Sequence, residues 1–246
     1  DRIPVDRWGR VEPEVLAGML DDDVAVVAVM WANNEVGTVQ PVAEIAQVCR
    51  ARGVPFHSDA VQALGQIDID VAGIASVALS AHKVGGPVGV GALVLDPDLP
   101  VAPLVHGGGQ ERDVRSGALD AAGIAGFAAA LAADKQDLSV LRDMLIAGVR
   151  EAVPEAVLNG HPDDRLANNV HFSFPGCPGD ALLMLLDAAG VAVSTGSACT
   201  AGIPQPSHVL VAMGADEAVA RSSLRFSLGW NSTPEDVTAA VEALPS

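Results

Sequence analysis

Two side chains that could form a catalytic pair stand at the ends of apolar segments. Asp59 closes the segment "VPFHSDA", and Lys83 follows the segment "ASVALS" by three positions. A lysine amine can form a Schiff base with the aldehyde of pyridoxal phosphate, and a carboxylate can keep the pyridine nitrogen of that cofactor protonated. Ser80 and His82 could donate hydrogen bonds to its phosphate. The alternative is a salt bridge among ordinary polar loop residues.

Apolar runs predict the strands that must position these groups. Residues 24–30, 54–60, 75–80 and 90–95 read as strands, and the first is a continuous Val-rich run typical of burial on both faces. An amphipathic helix is predicted over 41–53. Alternation of strand and helix implies an open α/β sheet, largely parallel, whose carboxyl edge would collect the loops after the strands. Asn34 and Gln62 lie in two of those loops.

The second half of the chain has a different texture. From about residue 116 a long Ala- and Leu-rich helical region is predicted, broken in its middle. Further strands are predicted at 168–174, 191–195 and 223–228, and further helices at 179–190 and 233–244, the last with Thr233 as N-cap and Pro234 at its first position. In the first half of the chain, a short helix is also predicted at 12–20. We therefore expect a large domain within 1–115 and, over 116–246, an interdomain helix and a smaller α+β domain.

Composition narrows the class of protein. The 246 residues carry a net charge of −17, which argues against nucleic-acid binding, and half of them are hydrophobic. No apolar run is long enough for a membrane span, and the first ten residues lack the pattern of a signal peptide. Three scattered cysteines suit a reducing, cytoplasmic setting better than a disulfide or zinc framework. Because the chain starts abruptly at Asp1, we expect it to be part of a longer protein.

Two further residues, Arg225 and Cys199, are of a type that is unusual in its local sequence, which suggests a function for each. Arg225 interrupts the apolar alternation of "SLRFSL", where a guanidinium is costly unless paired. Its planar fork could bind a substrate carboxylate, or it could form an internal ion pair. Cys199 lies in a loop rich in Gly, Ser and Pro, where a thiol is more accessible than in an apolar run such as the one around Cys49. Cys177 matches no such pattern and is interpreted as structural.

Six motifs, in order and spacing, resemble those of the cysteine desulfurases, which are fold-type I pyridoxal-phosphate enzymes of the class V aminotransferase group. The resemblance runs from about Val24 to the C-terminal helix. The motifs are "NNEVGTVQPVAEI", "HSDAVQALGQIDID", "SAHKVGGPVGVGAL", "HGGGQERDVRSG", "STGSACTAG" and "RSSLRFSLG".

The resemblance implies a role for each matching cofactor residue. Lys83 would be the Schiff-base lysine, Asp59 would pair with the pyridinium nitrogen, and Gln62 would bind the ring hydroxyl. Ser80 and His82 would hold the phosphate.

The substrate residues and the nucleophile are implied in the same way. Asn34 would lie beside the cofactor and the substrate carboxylate, and Arg225 would bind that carboxylate. Cys199 would accept sulfur from L-cysteine as a persulfide, release L-alanine, and pass the sulfur to an acceptor or scaffold protein in iron–sulfur cluster assembly or tRNA thiolation. His57, on the same strand face as Asp59, would be a supporting residue or a core histidine.

Two departures from the family pattern leave alternatives open. The family has an N-terminal segment, with a phosphate loop and a ring-stacking histidine, that finds no match here. Ala118 stands where the family usually has a threonine that reaches the phosphate of the partner subunit, although Arg112 and Arg115 still indicate a segment near a homodimer interface. A selenocysteine lyase, an aminotransferase of the same fold, and a truncated non-catalytic paralogue or scaffold are the competing functions.

Overall fold

The computed structural model describes residues 1–196 and 206–244. The chain divides into two compact units. One, here called the Lys83 unit, comprises Leu20–Met30 and Val42–Asp134; the other, here called the Arg225 unit, comprises Asp1–Met19, Trp31–Pro41 and Lys135–Ser246. The predicted domains, 1–115 and 116–246, stay a prediction for the whole protein.

A four-stranded sheet forms the centre of the Lys83 unit. Its strands are β1 (Val27–Ala28), β2 (Phe56–Asp59), β3 (Ser76–Ser80) and β4 (Gly91–Leu95), and they lie side by side in that order. The pairs β1–β2 and β2–β3 are parallel, whereas β4 runs antiparallel to β3. The mostly parallel sheet is as predicted. The fourth strand reverses because residues 81–90 form a tight connection, too short for a crossover helix.

The first strand is shorter and more exposed than its sequence predicts. The apolar run 24–30 yields only Val27–Ala28 as regular strand, held by hydrogen bonds from the Val27 and Val29 amides to the carbonyls of Pro55 and His57. Val26 and Met30 expose 56% and 40% of their surface. In β1 itself Val27 is buried and Ala28 is exposed, so the strand is not buried on both faces as the Val-rich run had indicated.

Two helices accompany this sheet. Helix α2 (Val42–Ala51) buries Val42, Ile45, Ala46 and Cys49, whose spacing places them on one face of a helix that packs against β2. Helix α3 (Ala121–Ala132) begins at Asp120, whose side chain accepts the Gly123 amide. It ends before the next helix, α4 (Ser139–Ala152), begins, so the predicted break in the long helical region is confirmed.

The Arg225 unit contains a smaller antiparallel sheet in the order β5 (Val157–Asn159), β6 (Asn169–Ser173) and β7 (Ser223–Ser227). Its helices are α1 (Pro13–Met19), α4 (Ser139–Ala152), α5 (Gly179–Ala188), α6 (His208–Ala212), α7 (Glu217–Arg221) and α8 (Pro234–Glu242). The core between sheet and helices is apolar and includes Leu145, Val149, Phe172, Leu186 and Leu224. Helix α8 begins with a capping box between Thr233 and Asp236, which confirms the predicted N-cap.

Four elements of this unit differ from the sequence prediction. Residues 191–195 do not form a strand; only Ser194 pairs, as an isolated bridge with Arg225. Strand β5 and the short helices α6 and α7 were not predicted, because runs this short carry too few periodic positions to recognise. In the described residues of both units, no helix has the length and apolar character needed to cross a membrane.

Candidate active site

The carboxyl ends of β2 and β3 bring the predicted cofactor residues to one edge of the sheet. Asp59 is the last residue of β2 and lies opposite Ala78 of β3 in parallel register. Ser80 ends β3, and the chain turns at once into a 3-10 helix, Ala81–Val84, that carries Lys83. Parallel pairing therefore places an acid and an amine, distant in sequence, at neighbouring strand ends.

The polar groups at this edge are held locally and remain exposed. The Asp59 carboxylate accepts the amide N–H of Val61 (2.9 Å), and the Ser80 hydroxyl and His82 Nδ1 are 2.6 Å apart. Asp59, His82 and Lys83 are exposed, and Gln62 is half-buried. Among the residues that the structure describes, neither Asp59 nor Lys83 enters a salt bridge. The acid and the amine therefore do not neutralise each other there.

Glycines after Lys83 allow the tight return of the chain. Gly85 ends the 3-10 helix with a left-handed φ of 84°, which a residue with a side chain adopts only at a cost. At Gly91, the first residue of β4, a Cβ atom would lie 2.8 Å from the Leu79 carbonyl oxygen. A side chain there would push β4 away from the end of β3. It would thereby disturb the backbone at Ser80 and in the 3-10 helix that carries Lys83.

His57 supports the same pair of strands. It lies on β2, two positions before Asp59, and its Nδ1 is 2.8 Å from the hydroxyl of Ser76 on β3. The ring is half-buried. This contact joins the two strands two positions ahead of Asp59. The supporting role of His57 stays a prediction, as does the alternative of a core histidine.

In the Arg225 unit, the two predicted substrate residues are in direct contact. Arg225 is the middle residue of β7, and its guanidinium donates to the backbone carbonyl oxygen of Asn34 (3.0 Å). The amide of Asn169 donates to the same oxygen (3.3 Å). Leu224 and Phe226, the neighbours of Arg225 on β7, are buried in the core, so the guanidinium lies on the other face of the sheet.

A buried histidine lies directly across the sheet from Arg225. His171 on β6 pairs in register with Arg225 on β7 and with Asn159 on β5, and its ring is fully buried. Its Nδ1 is 3.0 Å from the Asn159 side-chain amide, which also donates to the Ser173 hydroxyl (2.9 Å). Burial, and then the positive charges of Arg225 and Arg165, lower the pKa of His171 to about 3. The ring is therefore neutral at physiological pH.

Arg165 is a second buried group that the sequence analysis did not identify. Its guanidinium donates to the carbonyl oxygens of Val36, Asn159 and Asn169 over 3.4–3.5 Å, and its pKa falls to about 10 because of burial. It stays charged at neutral pH and joins three chain segments. For His171, the alternation of "NNVHFSF" could have given a signal, because it places the histidine on the same face as Asn169 and Ser173.

The three cysteines have different settings. Cys49 on α2 is 1% exposed, and burial raises the pKa of its thiol, in agreement with a structural role. Cys177 is exposed in the loop before α5. Cys199, the predicted nucleophile, lies outside the described residues.

The segment predicted to lie near a homodimer interface forms an exposed turn. Glu111, Arg112 and Asp113 all have positive φ, between 51° and 63°. Arg115 donates to the carbonyl oxygens of Gly117 (3.3 Å) and Ala118 (3.1 Å). Both arginines are thus placed at the surface of the Lys83 unit, and the interface stays a prediction.

Comparison with known proteins gives consistent matches over almost the whole chain. A family model described as "Aminotransferase class-V" matches residues 1–240. An "IscS-like cysteine desulfurase" of Mycobacterium tuberculosis is 56% identical over 99% of this chain and 65% of its own length. A "Cysteine desulfurase IscS" of Clostridium botulinum is 44% identical over 99% of this chain and 64% of its own length. The chain thus spans slightly less than two thirds of these relatives.

Comparison with solved structures gives a match of the same kind. The X-ray structure of a NifS-like protein from Rickettsia africae superposes with a TM-score of 0.87 at 32% sequence identity, covering 98% of this chain and 67% of that one.

Proposed function

Because the chain belongs to the aminotransferase class-V family, we propose that the full-length protein is a pyridoxal-phosphate-dependent cysteine desulfurase. The resemblance to cysteine desulfurases and the fold class predicted from the motifs are both confirmed. The reaction would convert L-cysteine to L-alanine and leave a persulfide on Cys199. The observation that carries the proposal is the placement of Asp59 and Lys83, exposed and not ion-paired with each other, at neighbouring ends of parallel strands.

The side chains at this edge suit pyridoxal phosphate in their chemistry. An amine can capture an aldehyde, a carboxylate can hold a protonated ring nitrogen, and hydroxyl and imidazole groups can bind a phosphate. Lys83, Asp59, Ser80 and His82 supply these four, and Gln62 supplies an amide for the ring hydroxyl. When bound, pyridoxal phosphate supplies an electron sink that stabilises negative charge at the substrate α-carbon.

The remaining residues would bind the substrate and move its proton. The Arg225 guanidinium, oriented by its hydrogen bond to the Asn34 carbonyl, would hold the α-carboxylate. The Lys83 amine would take the α-proton of the substrate. The short 3-10 helix and the glycine turn after it fix the backbone from which this amine acts.

Sulfur transfer needs a thiolate, which Cys199 would supply. The thiolate attacks the substrate sulfur, so that an S–S bond forms while the substrate C–S bond breaks. The electron pair of the C–S bond stays with the substrate carbon, which takes up a proton and leaves as alanine. Electrons balance without an external oxidant, and the persulfide can then be passed to a sulfur-acceptor or scaffold protein, for iron–sulfur cluster assembly or tRNA thiolation. A homodimer acting in the cytoplasm is part of the same proposal.

The test uses the full-length protein with L-cysteine. We expect alanine in amounts equal to the sulfur transferred, a persulfide on the peptide that contains Cys199, and a chromophore that borohydride fixes covalently to Lys83. A Cys199→Ala variant should keep the chromophore and lose the alanine. Alanine release that survives this substitution undiminished would contradict the role of Cys199, and transamination of L-cysteine would favour the aminotransferase alternative.

A further inference from the structure

Two side chains of the sheet in the Arg225 unit donate hydrogen bonds to one backbone oxygen. The Arg225 guanidinium, from β7, lies 3.0 Å from the carbonyl oxygen of Asn34, and the side-chain amide of Asn169, from β6, lies 3.3 Å from it. A carbonyl oxygen has two lone pairs and can accept both bonds at once. The proposed chemistry gives Arg225 a task but gives Asn169 none, so the second donor needs an explanation.

The pairing of β6 with β7 brings these two donors together. His171 lies opposite Arg225 in the antiparallel register. Asn169, two positions earlier on β6, therefore lies diagonally from Arg225, at a distance that long side chains can bridge. Their strand neighbours Val170 and Leu224 are buried in the apolar core, so both donors lie on the opposite face of the sheet.

The Asn34 carbonyl points out of a turn whose geometry is fixed by the neighbouring residue. The next amide N–H along the chain, that of Glu35, donates to the side-chain oxygen of Asn33 over 2.8 Å. In a trans peptide the C=O and N–H groups of one plane point in opposite directions. Because the Glu35 N–H faces Asn33, the Asn34 carbonyl faces the other way, towards the two donors.

Further contacts hold this turn against the sheet. The carboxylate of Glu35, which is 1% exposed, accepts a hydrogen bond of 2.6 Å from the Ser207 hydroxyl. Arg165 donates to the carbonyl oxygens of Val36 and Asn169, over 3.4 and 3.5 Å, and so joins the turn to β6. The acceptor oxygen therefore keeps its place relative to β6, and the two donors must come to it.

Asn169 is a donor of fixed orientation. It is 6% exposed, and its amide nitrogen must face the Asn34 oxygen, because the amide oxygen is itself an acceptor and would be repelled. The Arg225 side chain is long and half-buried, and by itself it could adopt several rotamers. With the carbonyl held by Asn169, the guanidinium meets its acceptor in one orientation, which fixes the plane of its remaining N–H groups.

We propose that Asn169 is a positioning residue for substrate binding, which holds the Asn34 carbonyl so that the Arg225 guanidinium keeps the orientation that receives the α-carboxylate. The inference rests on the proposed function, because that function makes Arg225 the partner of the substrate carboxylate. An ordered guanidinium loses little further freedom when the substrate binds, whereas a loose one must first be ordered, which lowers affinity. Asn169 should therefore affect the binding of L-cysteine more than its conversion.

The experiment compares Asn169→Leu and Asn169→Asp, whose side chains resemble asparagine in shape, in the full-length protein. Asn169→Leu removes the donor, so KM for L-cysteine should rise about fivefold or more while kcat stays within about threefold of wild type. Asn169→Asp removes the same donor and adds a negative charge near Arg225. Because that charge competes with the substrate carboxylate, KM should rise about thirtyfold or more.

A second readout needs no substrate. Phenylglyoxal modifies arginine, and peptide mass spectrometry then reports the modification rate of Arg225 relative to that of exposed Arg150. In Asn169→Leu this ratio should rise at least about threefold, because the guanidinium leaves its position more often. In Asn169→Asp the ratio should fall to about half of the wild-type value or less, because a carboxylate partner keeps the guanidinium charged and less reactive.

Thr38→Val is the matched control. Thr38 is fully buried just after the same turn, and its hydroxyl bonds to the Trp8 carbonyl and the His161 amide rather than to Asn34 or Arg225. This variant should lower the melting temperature and leave KM, kcat and the modification ratio at wild-type values.

The outcomes separate this inference from the proposed function. Wild-type KM and modification ratio in Asn169→Leu would overturn the inference, as would a loss of kcat at unchanged KM or equal losses in Thr38→Val. A modification ratio that changes in the same direction in both Asn169 variants would remove the link to Arg225. If the wild type converts no L-cysteine, the proposed function fails, and the modification ratio still decides whether Asn169 orients Arg225.

Discussion

Asp59, His82 and Lys83, at the strand ends of the Lys83 unit, are exposed, whereas Glu35 and Arg225 of the Arg225 unit are buried and half-buried and bond to distant segments. Asp59 and His82 bond to groups two positions away in sequence. Glu35 and Arg225, by contrast, bond to residues 172 and 191 positions away. The first arrangement leaves polar groups accessible to a ligand. The second holds polar groups in one orientation.

This contrast predicts that substitutions in the two units have different effects on stability and activity. Removing a buried polar group leaves its partners unsatisfied and lowers stability, while removing an exposed one changes mainly chemistry. Four substitutions test the contrast through the free energy of unfolding, measured by urea titration of the full-length protein.

The largest loss of stability is expected for Arg165→Met. The carbonyl oxygens of Val36, Asn159 and Asn169 would lose a charged donor inside the protein, which we expect to cost about 3 kcal/mol. Arg10→Met is the control, because its pair with Asp164 is partly exposed and should be worth at most about 1 kcal/mol. Equal losses in the two variants would remove the distinction between buried and exposed polar groups.

The second prediction concerns the acid sensitivity that His171 contributes. Its pKa is about 3 in the fold, against about 6.5 in the unfolded chain, so only the unfolded state gains a proton as pH falls below 6.5. Between pH 7.5 and pH 5 this should remove about 2 kcal/mol of stability from the wild type.

In His171→Asn that part of the pH dependence should vanish, whatever the variant's stability at neutral pH. His106→Asn, which changes an exposed histidine, should keep the wild-type slope. Parallel curves for the wild type and His171→Asn would mean that the ring is not held neutral by its surroundings.

A smaller effect is expected for Thr233→Ala at the start of α8. The capping box satisfies one helix amide with the Thr233 hydroxyl, and its loss should cost about 1 kcal/mol. Thr238→Ala, inside the same helix, should change stability by less than about 0.5 kcal/mol, since its exposed hydroxyl bonds to the Pro234 carbonyl of the preceding turn. A reversed order of the two variants would show that the cap does not form.

The smallest effect on stability is expected for Asp59→Asn, together with a large effect on function. Asparagine keeps an oxygen for the Val61 amide, so stability should change by less than about 0.5 kcal/mol. The ring nitrogen of the proposed cofactor would lose its counter-charge, and alanine formation should fall at least about a hundredfold. A strongly destabilised Asp59→Asn would place Asp59 among structural residues, contrary to the proposal.

Much of the fold could be predicted because its signals are local. Helix α2 follows from apolar residues spaced to form one face, and α8 from Thr233 and Pro234 at its start. The short elements β5, α6 and α7 could not be predicted from so few residues. The prediction for residues 24–30 was wrong in part. Their apolar character indicated burial, but Val26 and Met30 are exposed in the described structure.

The candidate site divides in the same way. Asp59, Ser80, His82 and Lys83 could be singled out because each ends or closely follows a strand, and parallel strands end at one edge. Glu35, Asn159 and His171 were not identified from the sequence. The role of a buried polar residue depends on its hydrogen-bond partner, and each of these partners belongs to another segment.

By itself the sequence determined where the main helices and strands lie, and which residue types stand at the strand ends, because periodicity, capping and glycine turns act over a few residues. Only the tertiary structure decided that β4 turns back against β3, that Asn34 meets Arg225, and that Glu35 reaches Ser207. These contacts depend on how distant segments pack together, and a hydrogen bond across more than a hundred residues leaves no periodic signal in the chain.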